Sequence, residues 1–329
     1  MRGIPSELTS GPFTRAQALA LGVSKSMMQG KRFVRIHPGV WRHVDHEMSP
    51  GDWIEAARLA LPSSARTTGL TRLQQLGLDF GPRLPVRFVI EGDHHLVLDG
   101  IFLHRTKLMP PTDDAGVTPT AAFVACCASL RVIDAIKVGD WLLHCGHMTL
   151  QSLADLIDGQ PWRRGAREAA WVIGHLDPDA RSLKESETRA LVRFAGLPTP
   201  RCNVSIALTE TLTVLVDLWF EDWRCALEYE GGQHQIDRAQ YVADIDRYAL
   251  MRRVQIDYRQ VTNEHLAAPR HLVRMVHRLL VDNGYEGPPP AFGTRWEELF
   301  RRLRSVAEHR RRHGSGERGP KLVARTSPR

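Results

Sequence analysis

Hydrophobic and polar residues alternate most clearly in the last third of the chain, where two apolar segments flank an acidic break. Residues 214–220 and 223–229 are rich in β-branched, aromatic and aliphatic side chains, and Glu221 and Asp222 separate them. Short segments of this composition with a polar break between them are typical of a β-hairpin. The pattern therefore predicts two strands joined by a two-residue turn, which we call the acidic hairpin.

Helices and strands alternate on both sides of the acidic hairpin. Apolar positions at helical spacing precede it, and a Gly-Leu-Pro sequence at residues 196–198 ends that helix. The predicted elements are a helix at 185–195, a strand at 203–208, the two hairpin strands, a helix at 237–252, a strand at 254–258 and a helix at 269–281.

The amino-terminal segment has two helix starts close together. Thr14 and Ser24 stand at N-cap positions, and Gly22 between them ends the first helix. The predicted elements are helices at 15–21 and 25–30, followed by a β-hairpin at 33–42 around Pro38-Gly39. Two short helices joined by a tight turn and followed by a hairpin are typical of a winged helix-turn-helix domain. The alternative is that so small a domain serves only in packing or protein interaction.

The middle of the chain, from about residue 45 to 179, predicts a mixed α/β domain without identifiable chemistry. The predicted helices are 53–61, 68–76, 120–130, 135–144 and 149–157, and the predicted strands are 86–90 and 95–104, the second bent at Asp99-Gly100.

Composition narrows the class of protein. A chain of 329 residues with 43% hydrophobic residues is long enough for two or three packed domains. It has no apolar run of about 18 residues and no signal-peptide pattern, so we expect a soluble, cytoplasmic protein that does not interact with a membrane. The five cysteines, Cys126, Cys127, Cys145, Cys202 and Cys225, form no Cys-x-x-Cys pair and are predicted to be reduced core residues.

The net charge of +7 and the pI of about 9.4 favour an anionic partner. Residues 308–329 carry seven Lys and Arg against two acids, and their Gly, Ser and Pro content predicts a disordered tail. Such a tail either adds non-specific attraction to phosphates or is simply solvated.

The acidic hairpin places carboxylates where a sheet is usually apolar. With a two-residue turn, Asp217 faces Ala226 and lies diagonal to Glu228, and Glu230 shares their face because side chains alternate along a strand. Clustered carboxylates need compensation, and Mg²⁺ binds oxygen ligands of this kind. The alternative is a sheet edge whose acids face water or pair with Arg224 and Arg247.

The predicted order of elements, together with a set of short motifs, resembles the PD-(D/E)XK nuclease superfamily, and more narrowly the Vsr-like (very-short-patch-repair-like) domain family. The resemblance covers about a third of the chain. The residues that carry it are Ser182-Leu183-Lys184-Glu185-Ser186, Arg189, Gly196-Leu197-Pro198-Thr199-Pro200, Val216-Asp217, Glu228-Tyr229-Glu230-Gly231, His234, Asp244, Arg247 and Leu250.

The resemblance implies a metal-dependent nuclease site that uses Mg²⁺ or Mn²⁺. In that superfamily an Asp and a Glu bind the metal, and a third position, often Lys, positions or activates the attacking water. Asp217 and Glu228 would then be the metal ligands, with the Tyr229 carbonyl as a further oxygen. Glu185 would be an outer-shell or water-bridged ligand.

Two positions depart from the superfamily pattern. Val216 replaces the Pro before the Asp, and Glu230 replaces the Lys. An acid at that position would orient a metal-bound water as a general base or help to bind a second metal. His234 and Arg247 are the nearest candidates to supply donors or positive charge, and Asp244 would hold either of them in a supporting role.

The amino-terminal segment resembles the winged-helix domain of AbiEi-type abortive-infection antitoxins, which carry a similar Gly-Val-Ser turn and Pro-Gly-Val wing. The resemblance implies DNA binding through the second helix and the wing. The implied base-contacting residues are Ser24, Lys25, Ser26, Gln29 and Lys31, and the implied phosphate-contacting residues are Arg32, Arg35 and Arg42.

The sequence therefore predicts an α/β (α+β) chain in four parts. They are a winged helix-turn-helix domain at 1–44, a mixed α/β middle domain at 45–180, a restriction-endonuclease-like αβββαβ core at 181–284, and a carboxy-terminal helix with a basic tail at 285–329. The first function is a metal-dependent DNA endonuclease in defence or repair, which would act as a homodimer if it cuts both strands. The alternatives are a non-catalytic DNA-binding regulator or antitoxin, and a protein that neutralises a toxin partner without binding DNA.

Overall fold

The chain has a mixed α/β fold with several small sheets. The computed structural model describes residues 4–209, 212–229 and 250–312, with side chains up to residue 308. The chain divides into two compact units, residues 1–125 and 126–329, each with its own helices and sheets. The finer four-part division expected from the sequence stays a prediction.

The first unit begins with the two predicted helices and the hairpin. The elements are β1 (Phe13–Thr14), α1 (Arg15–Ala20), α2 (Lys25–Met28), β2 (Phe33–His37) and β3 (Val40–His43), and the sheet order is β1-β3-β2. Both predicted caps are confirmed: the Thr14 hydroxyl accepts the Gln17 N–H at 3.2 Å, and the Ser24 hydroxyl accepts the Met27 N–H at 3.3 Å. These bonds satisfy donors that the first turn of a helix leaves unpaired.

A second sheet completes the first unit. The elements after β3 are α3 (Pro50–Ala60), β4 (Arg66–Thr67), α4 (Gly69–Gln75), β5 (Val86–Glu91), β6 (Ile101–Thr106), β7 (Thr112–Asp113), β8 (Gly116–Val117) and α5 (Pro119–Cys127). The strands β7 and β8 form a separate two-stranded sheet, and the last two residues of α5 belong to the second unit. The sheet order is β4-β5-β6, with β6 parallel to β5. The strand predicted at 95–104 is wrong over its first half: residues 93–98 are irregular, and Gly100 at φ 70° forms a turn immediately before β6.

Gly116 lies where the β7–β8 hairpin meets β4. Its φ is +157°, and a Cβ added there would lie 2.3 Å from the Thr67 hydroxyl oxygen. Arg72 holds the same hairpin, because its Nε donates to the Val117 carbonyl at 3.0 Å and its Nη2 to Asp113 at 2.7 Å. Only a residue without a side chain therefore fits at Gly116.

Within the described residues, four helices precede the sheet of the second unit. The helices are α6 (Val132–His144), α7 (Leu150–Gly159), α8 (Ala166–Val172) and α9 (Leu183–Phe194). Ser182 caps α9 by accepting the Glu185 N–H at 3.1 Å, and Gly196 at φ 84° follows its end. The predicted helix at 185–195 is confirmed.

A buried ion pair joins α9 to α6. Arg189 donates from Nη2 to Asp140 at 2.7 Å and to the His175 carbonyl at 2.9 Å, and the two charged side chains are 2% and 0% exposed. Asp140 also accepts the Asp177 N–H at 2.7 Å. Burial raises the pKa of Asp140 to about 6, against the opposing effect of the Arg189 charge.

A four-stranded mixed sheet is the centre of the second unit. Its strands are β9 (Arg201–Ala207), β10 (Thr213–Phe220), β11 (Cys225–Tyr229) and β12 (Asp257–Val261), in the order β12-β11-β10-β9. β10 is antiparallel to both β9 and β11, whereas β12 runs parallel to β11. The remaining helices are α10 (Asn263–Ala267), α11 (Pro269–Asp282), α12 (Thr294–Glu298) and α13 (Leu303–Arg312).

The turn of the acidic hairpin is longer than the predicted two residues. A single 3-10 turn, Glu221–Trp223, and Arg224 at φ 45° connect β10 to β11. The Trp223 ring packs edge-on against Tyr285 with centroids 5.4 Å apart, and Arg224 donates to the Val254 carbonyl at 2.9 Å. These tertiary contacts, which local sequence does not encode, draw both residues out of β11.

β12 begins three residues later than predicted. Residues 250–253 are the described end of the helix that precedes β12. The Ile256 N–H bonds to the Met251 carbonyl at 2.9 Å, and Gln255 has a φ of 58°, so residues 254–256 close this helix instead of starting the strand. The helix predicted at 269–281 is confirmed as α11.

Two further predictions concern the cysteines and membrane-spanning helices. Four of the five cysteines are buried, but Cys145 is exposed at the end of α6, so the prediction that all five are core residues is wrong there. Among the helices of the described residues, none combines the length and the apolar character needed to cross a membrane. The tail from residue 313 onward lies outside the described residues.

Candidate functional site

Asp217 and Glu228 lie side by side on adjacent strands. The register of β10 and β11 pairs Trp219 with Ala226 and Leu218 with Leu227. One residue further along both strands, the same register sets Asp217 opposite Glu228 and not opposite Ala226 as predicted. Directly opposite residues have Cβ atoms about 5 Å apart on one face of the sheet. The longer turn thus brings the two acids closer than the predicted diagonal arrangement.

Hydrogen bonds and burial hold the backbone of Tyr229 close to the two acids. The Asp217 Oδ2 accepts the Tyr229 backbone N–H at 2.8 Å. Glu228 is only 6% exposed, and the Tyr229 hydroxyl donates to Asn263 at 2.8 Å. The main chain at Tyr229 is therefore held against Asp217, which brings its backbone close to both carboxylates.

Two amides extend the acid pair into a polar row across the sheet. In the register of β9 and β10, Val204 pairs with Val216 and Cys202 with Leu218. Asn203 of β9 therefore lies beside Asp217. On the other side, Gln260 of β12 pairs with Glu228. We call Asn203, Asp217, Glu228 and Gln260 the polar row.

Glu185 is linked to this row through Asn203. The Asn203 Nδ2 donates to Glu185 Oε2 at 2.6 Å and to the Asp179 carbonyl at 2.7 Å. The same Glu185 oxygen accepts the Arg181 N–H at 3.0 Å, and the side chain is 7% exposed. Glu185 is thus held beside the row by hydrogen bonds, in a place that suits an outer-shell role.

The donors of the acid pair suit a hard cation. Two carboxylates and the Tyr229 carbonyl are oxygen ligands of the type that Mg²⁺ and Mn²⁺ bind. Two like charges opposite each other in a sheet repel, and a divalent cation would compensate them. Within residues 4–209, 212–229 and 250–312, however, no group of three or more His, Cys, Asp or Glu side chains is arranged to hold a metal.

The remaining predicted residues of this site are Glu230, His234, Asp244 and Arg247, and all four lie outside the described residues.

The predicted DNA-contacting residues of α2 and the wing are mostly on the surface. The exposed ones are Ser24, Lys25, Ser26, Gln29, Lys31, Arg32 and Arg35, whereas Arg42 is half-buried. Arg42 Nη1 donates to the carbonyls of His43, Val44 and His46 at 3.0, 2.9 and 2.7 Å. Arg42 therefore holds the backbone that follows β3, a role that the phosphate-contact prediction does not include.

Sequence reasoning missed Asn203 and Gln260. Asn is depleted in β-strands, yet Asn203 stands between Cys202 and Val204 in an apolar segment. An amide at such a position was the signal in the sequence that could have marked Asn203 as functional. Its φ of 50° shows that this backbone position is unusual for a strand. Gln260 was missed because the start of β12 was predicted three residues too early.

Comparisons of the chain with models of protein families, with curated protein sequences and with solved structures give no significant match in any of the three.

Proposed function

We propose that this protein is a metal-dependent DNA endonuclease that hydrolyses phosphodiester bonds. The observation that carries the proposal is the acid pair, Asp217 opposite Glu228 on adjacent strands, with Glu185 attached through Asn203. Glu228 is buried and Asp217 is half-buried, and two carboxylates opposite each other in a sheet cost free energy unless a cation compensates them.

The topology of the second unit supports this proposal. The order along the chain is helix α9, three antiparallel strands, a helix whose end is described at 250–253, the parallel strand β12, the short helix α10 and helix α11. We propose that this order is the αβββαβ core of a restriction-endonuclease-like domain, with the acids on its two central strands.

In the proposed reaction, Asp217, Glu228 and the Tyr229 carbonyl would hold the cation. The bound Mg²⁺ or Mn²⁺ would stabilise negative charge on the phosphate and lower the pKa of a water. The chain's own residues position the ligands: the Tyr229 N–H fixes Asp217, and Asn203 fixes Glu185. Glu230 is proposed to take the proton of the attacking water, in place of the Lys of related sites.

The amino-terminal elements support a DNA-binding role. We propose that α1, α2 and the β2–β3 hairpin form a winged helix-turn-helix domain, in which α2 enters the major groove. Its exposed Lys25, Gln29 and Lys31 would reach base edges, and Arg32 and Arg35 would contact phosphates. Arg42 is better explained as a structural residue of the wing, given its three bonds to backbone carbonyls.

One contact favours a second candidate function. Because Asp217 accepts the Tyr229 N–H, one of its oxygens already has a structural hydrogen bond within the hairpin. In this alternative the nuclease-like domain is a scaffold, and the protein is a DNA-binding regulator or an antitoxin that acts on a toxin partner.

The test is nicking of supercoiled DNA with Mg²⁺ or Mn²⁺. We expect the intact protein to nick the plasmid and the Asp217→Ala and Glu228→Ala variants to be inactive. Asp222→Ala is the matched control, since Asp222 is an exposed acid in the turn of the same hairpin. If the intact protein is inert with every metal but still binds DNA, the regulator alternative replaces the nuclease.

A further inference from the structure

Helix α11 has two opposite faces. Its buried face consists of Leu272, Val273, Val276, Leu279 and Leu280. Arg270, Arg274 and Arg278 are exposed. At about 100° per residue their four-residue spacing keeps them within an arc of roughly 80°, directly opposite the buried face. We call these three residues the arginine stripe.

The arginine stripe concentrates three positive charges on one side of α11. Like charges four residues apart on a helix repel each other. The only acidic residue in α11 is Asp282, at its end, and in the described part of the chain no ion pair involves any of the three arginines. Other exposed arginines of the second unit do pair with an acid, as Arg301 does with Glu297 at 3.1 Å and Arg304 with Glu308 at 3.0 Å. The stripe is thus an arrangement that an external anion would stabilise.

An aromatic anchor holds two of the guanidinium groups in place. Arg270 and Arg274 lie over the ring of Phe292, at 5.6 and 5.3 Å from its centroid. Phe292 in turn packs edge-on against Trp296, with centroids 4.9 Å apart, and Trp296 is only 2% exposed. Because the ring positions both cations before any partner binds, less side-chain entropy is lost on binding.

The dimensions suit a nucleic-acid backbone. From Arg270 to Arg278 the stripe extends for about 12 Å along the helix. That length corresponds to roughly three to four phosphates of one strand of duplex DNA, at one charge per ~3.4 Å of helix axis. Guanidinium groups match phosphate oxygens in geometry and charge.

We propose that the arginine stripe of α11 is a contact surface for the phosphate backbone of the DNA that the acid pair cleaves. This inference rests on the proposed nuclease function and adds a second DNA contact, within the unit that carries the acid pair. Contacts of this kind supply affinity and orientation without sequence preference.

The test measures binding of a fluorescent DNA duplex by anisotropy at several salt concentrations. The variant is Arg270→Gln/Arg274→Gln/Arg278→Gln in the full-length chain. Loss of three phosphate contacts should reduce the slope of log K against log salt by about 2.7, and weaken binding on the order of 10²-fold at ~0.1 M salt. Unfolding temperature should stay equal or rise, because repulsion along the helix is removed.

The matched control is Arg83→Gln/Arg301→Gln/Arg304→Gln. It removes the same charge from exposed positions where each arginine pairs with an acid four residues away. If the stripe variant and the control bind DNA equally well while the intact protein nicks plasmid, the inference is wrong and the nuclease proposal stands. If the intact protein binds no DNA, both are wrong. Loss of binding to duplex RNA but not to DNA would contradict the assignment to DNA.

Discussion

Replacing Arg189 by methionine should expose how strongly the second unit depends on one buried ion pair. Arg189 is 2% exposed and donates to Asp140, whose side chain is fully buried. Methionine fills much of the same volume but leaves Asp140 without its cation. Removing one partner of a buried pair typically costs about 3–5 kcal/mol, because the other charge stays buried. We expect a loss of this size in the free energy of unfolding at pH 8.

The loss in the free energy of unfolding of Arg189→Met should be smaller at pH 5 than at pH 8. The direction of this pH dependence follows from the pKa of Asp140. Burial raises this pKa to about 6 from the ordinary 3.8. An acid whose pKa is raised by folding contributes stability that is complete below its ordinary pKa and is lost as the pH rises through the raised value. Without Arg189, which opposes the rise, the pKa of Asp140 moves higher still. The variant therefore loses further stability above pH 6, by at most about 1.4 kcal/mol per pH unit.

The assay is urea unfolding at pH 5 and pH 8, followed by tryptophan fluorescence, with Arg189→Met, Asp140→Leu and the double variant. Trp171 reports on this region, because its ring packs against His175 and Phe194. The double variant should recover most of the stability that either single variant loses, since no unpaired charge remains. Additive losses in the double variant, or a pH-independent loss in Arg189→Met, would refute this account of the pair.

Two further predictions concern packing and positioning. Gly116→Ala should lower the free energy of unfolding, measured in thermal melts, by about 1–3 kcal/mol because the new methyl group overlaps the Thr67 hydroxyl. The control Gly159→Ala, where the added methyl group has open space, should change the free energy of unfolding by no more than about 0.5 kcal/mol. Asn203→Ala should slow plasmid nicking because it removes the amide that holds Glu185. Asn203→Gly should nick equally slowly but be more stable than the alanine variant, because glycine tolerates the φ of 50°. Full nicking activity in both variants would contradict the positioning role.

Periodicity and caps were enough to predict most helices. Thr14 and Ser24 start their helices as predicted, because an N-cap bond involves only residues three apart in sequence. Local sequence determines such features, so sequence reasoning finds them. Helix α9 was predicted from residue 185 by its apolar spacing; it begins at Leu183, and its cap at Ser182 was not predicted.

The acid pair shows where sequence reasoning falls short. Alternation correctly indicated that Asp217 and Glu228 share a face, since a shift of the register by two residues leaves every side chain on its side. The opposite placement of the two acids depends on the four-residue connection, in which Trp223 packs on Tyr285, more than 60 residues away in sequence. Tertiary contacts of this kind leave no local signal. Arg42 is a different case: its three bonds go to carbonyls only one, two and four residues further along the chain, and sequence reasoning did not anticipate them.

The central claim is that Asp217 and Glu228 hold a divalent cation that DNA cleavage requires. The most direct measurement is the rate of plasmid nicking as a function of Mn²⁺ concentration, with calorimetric titration of Mn²⁺ into the same samples. For Asp217→Asn and Glu228→Gln we predict Mn²⁺ affinity at least about tenfold weaker and a parallel loss of nicking, with Asp222→Asn unchanged. Equal Mn²⁺ affinity in all four proteins, or nicking that persists in both site variants, would contradict the claim.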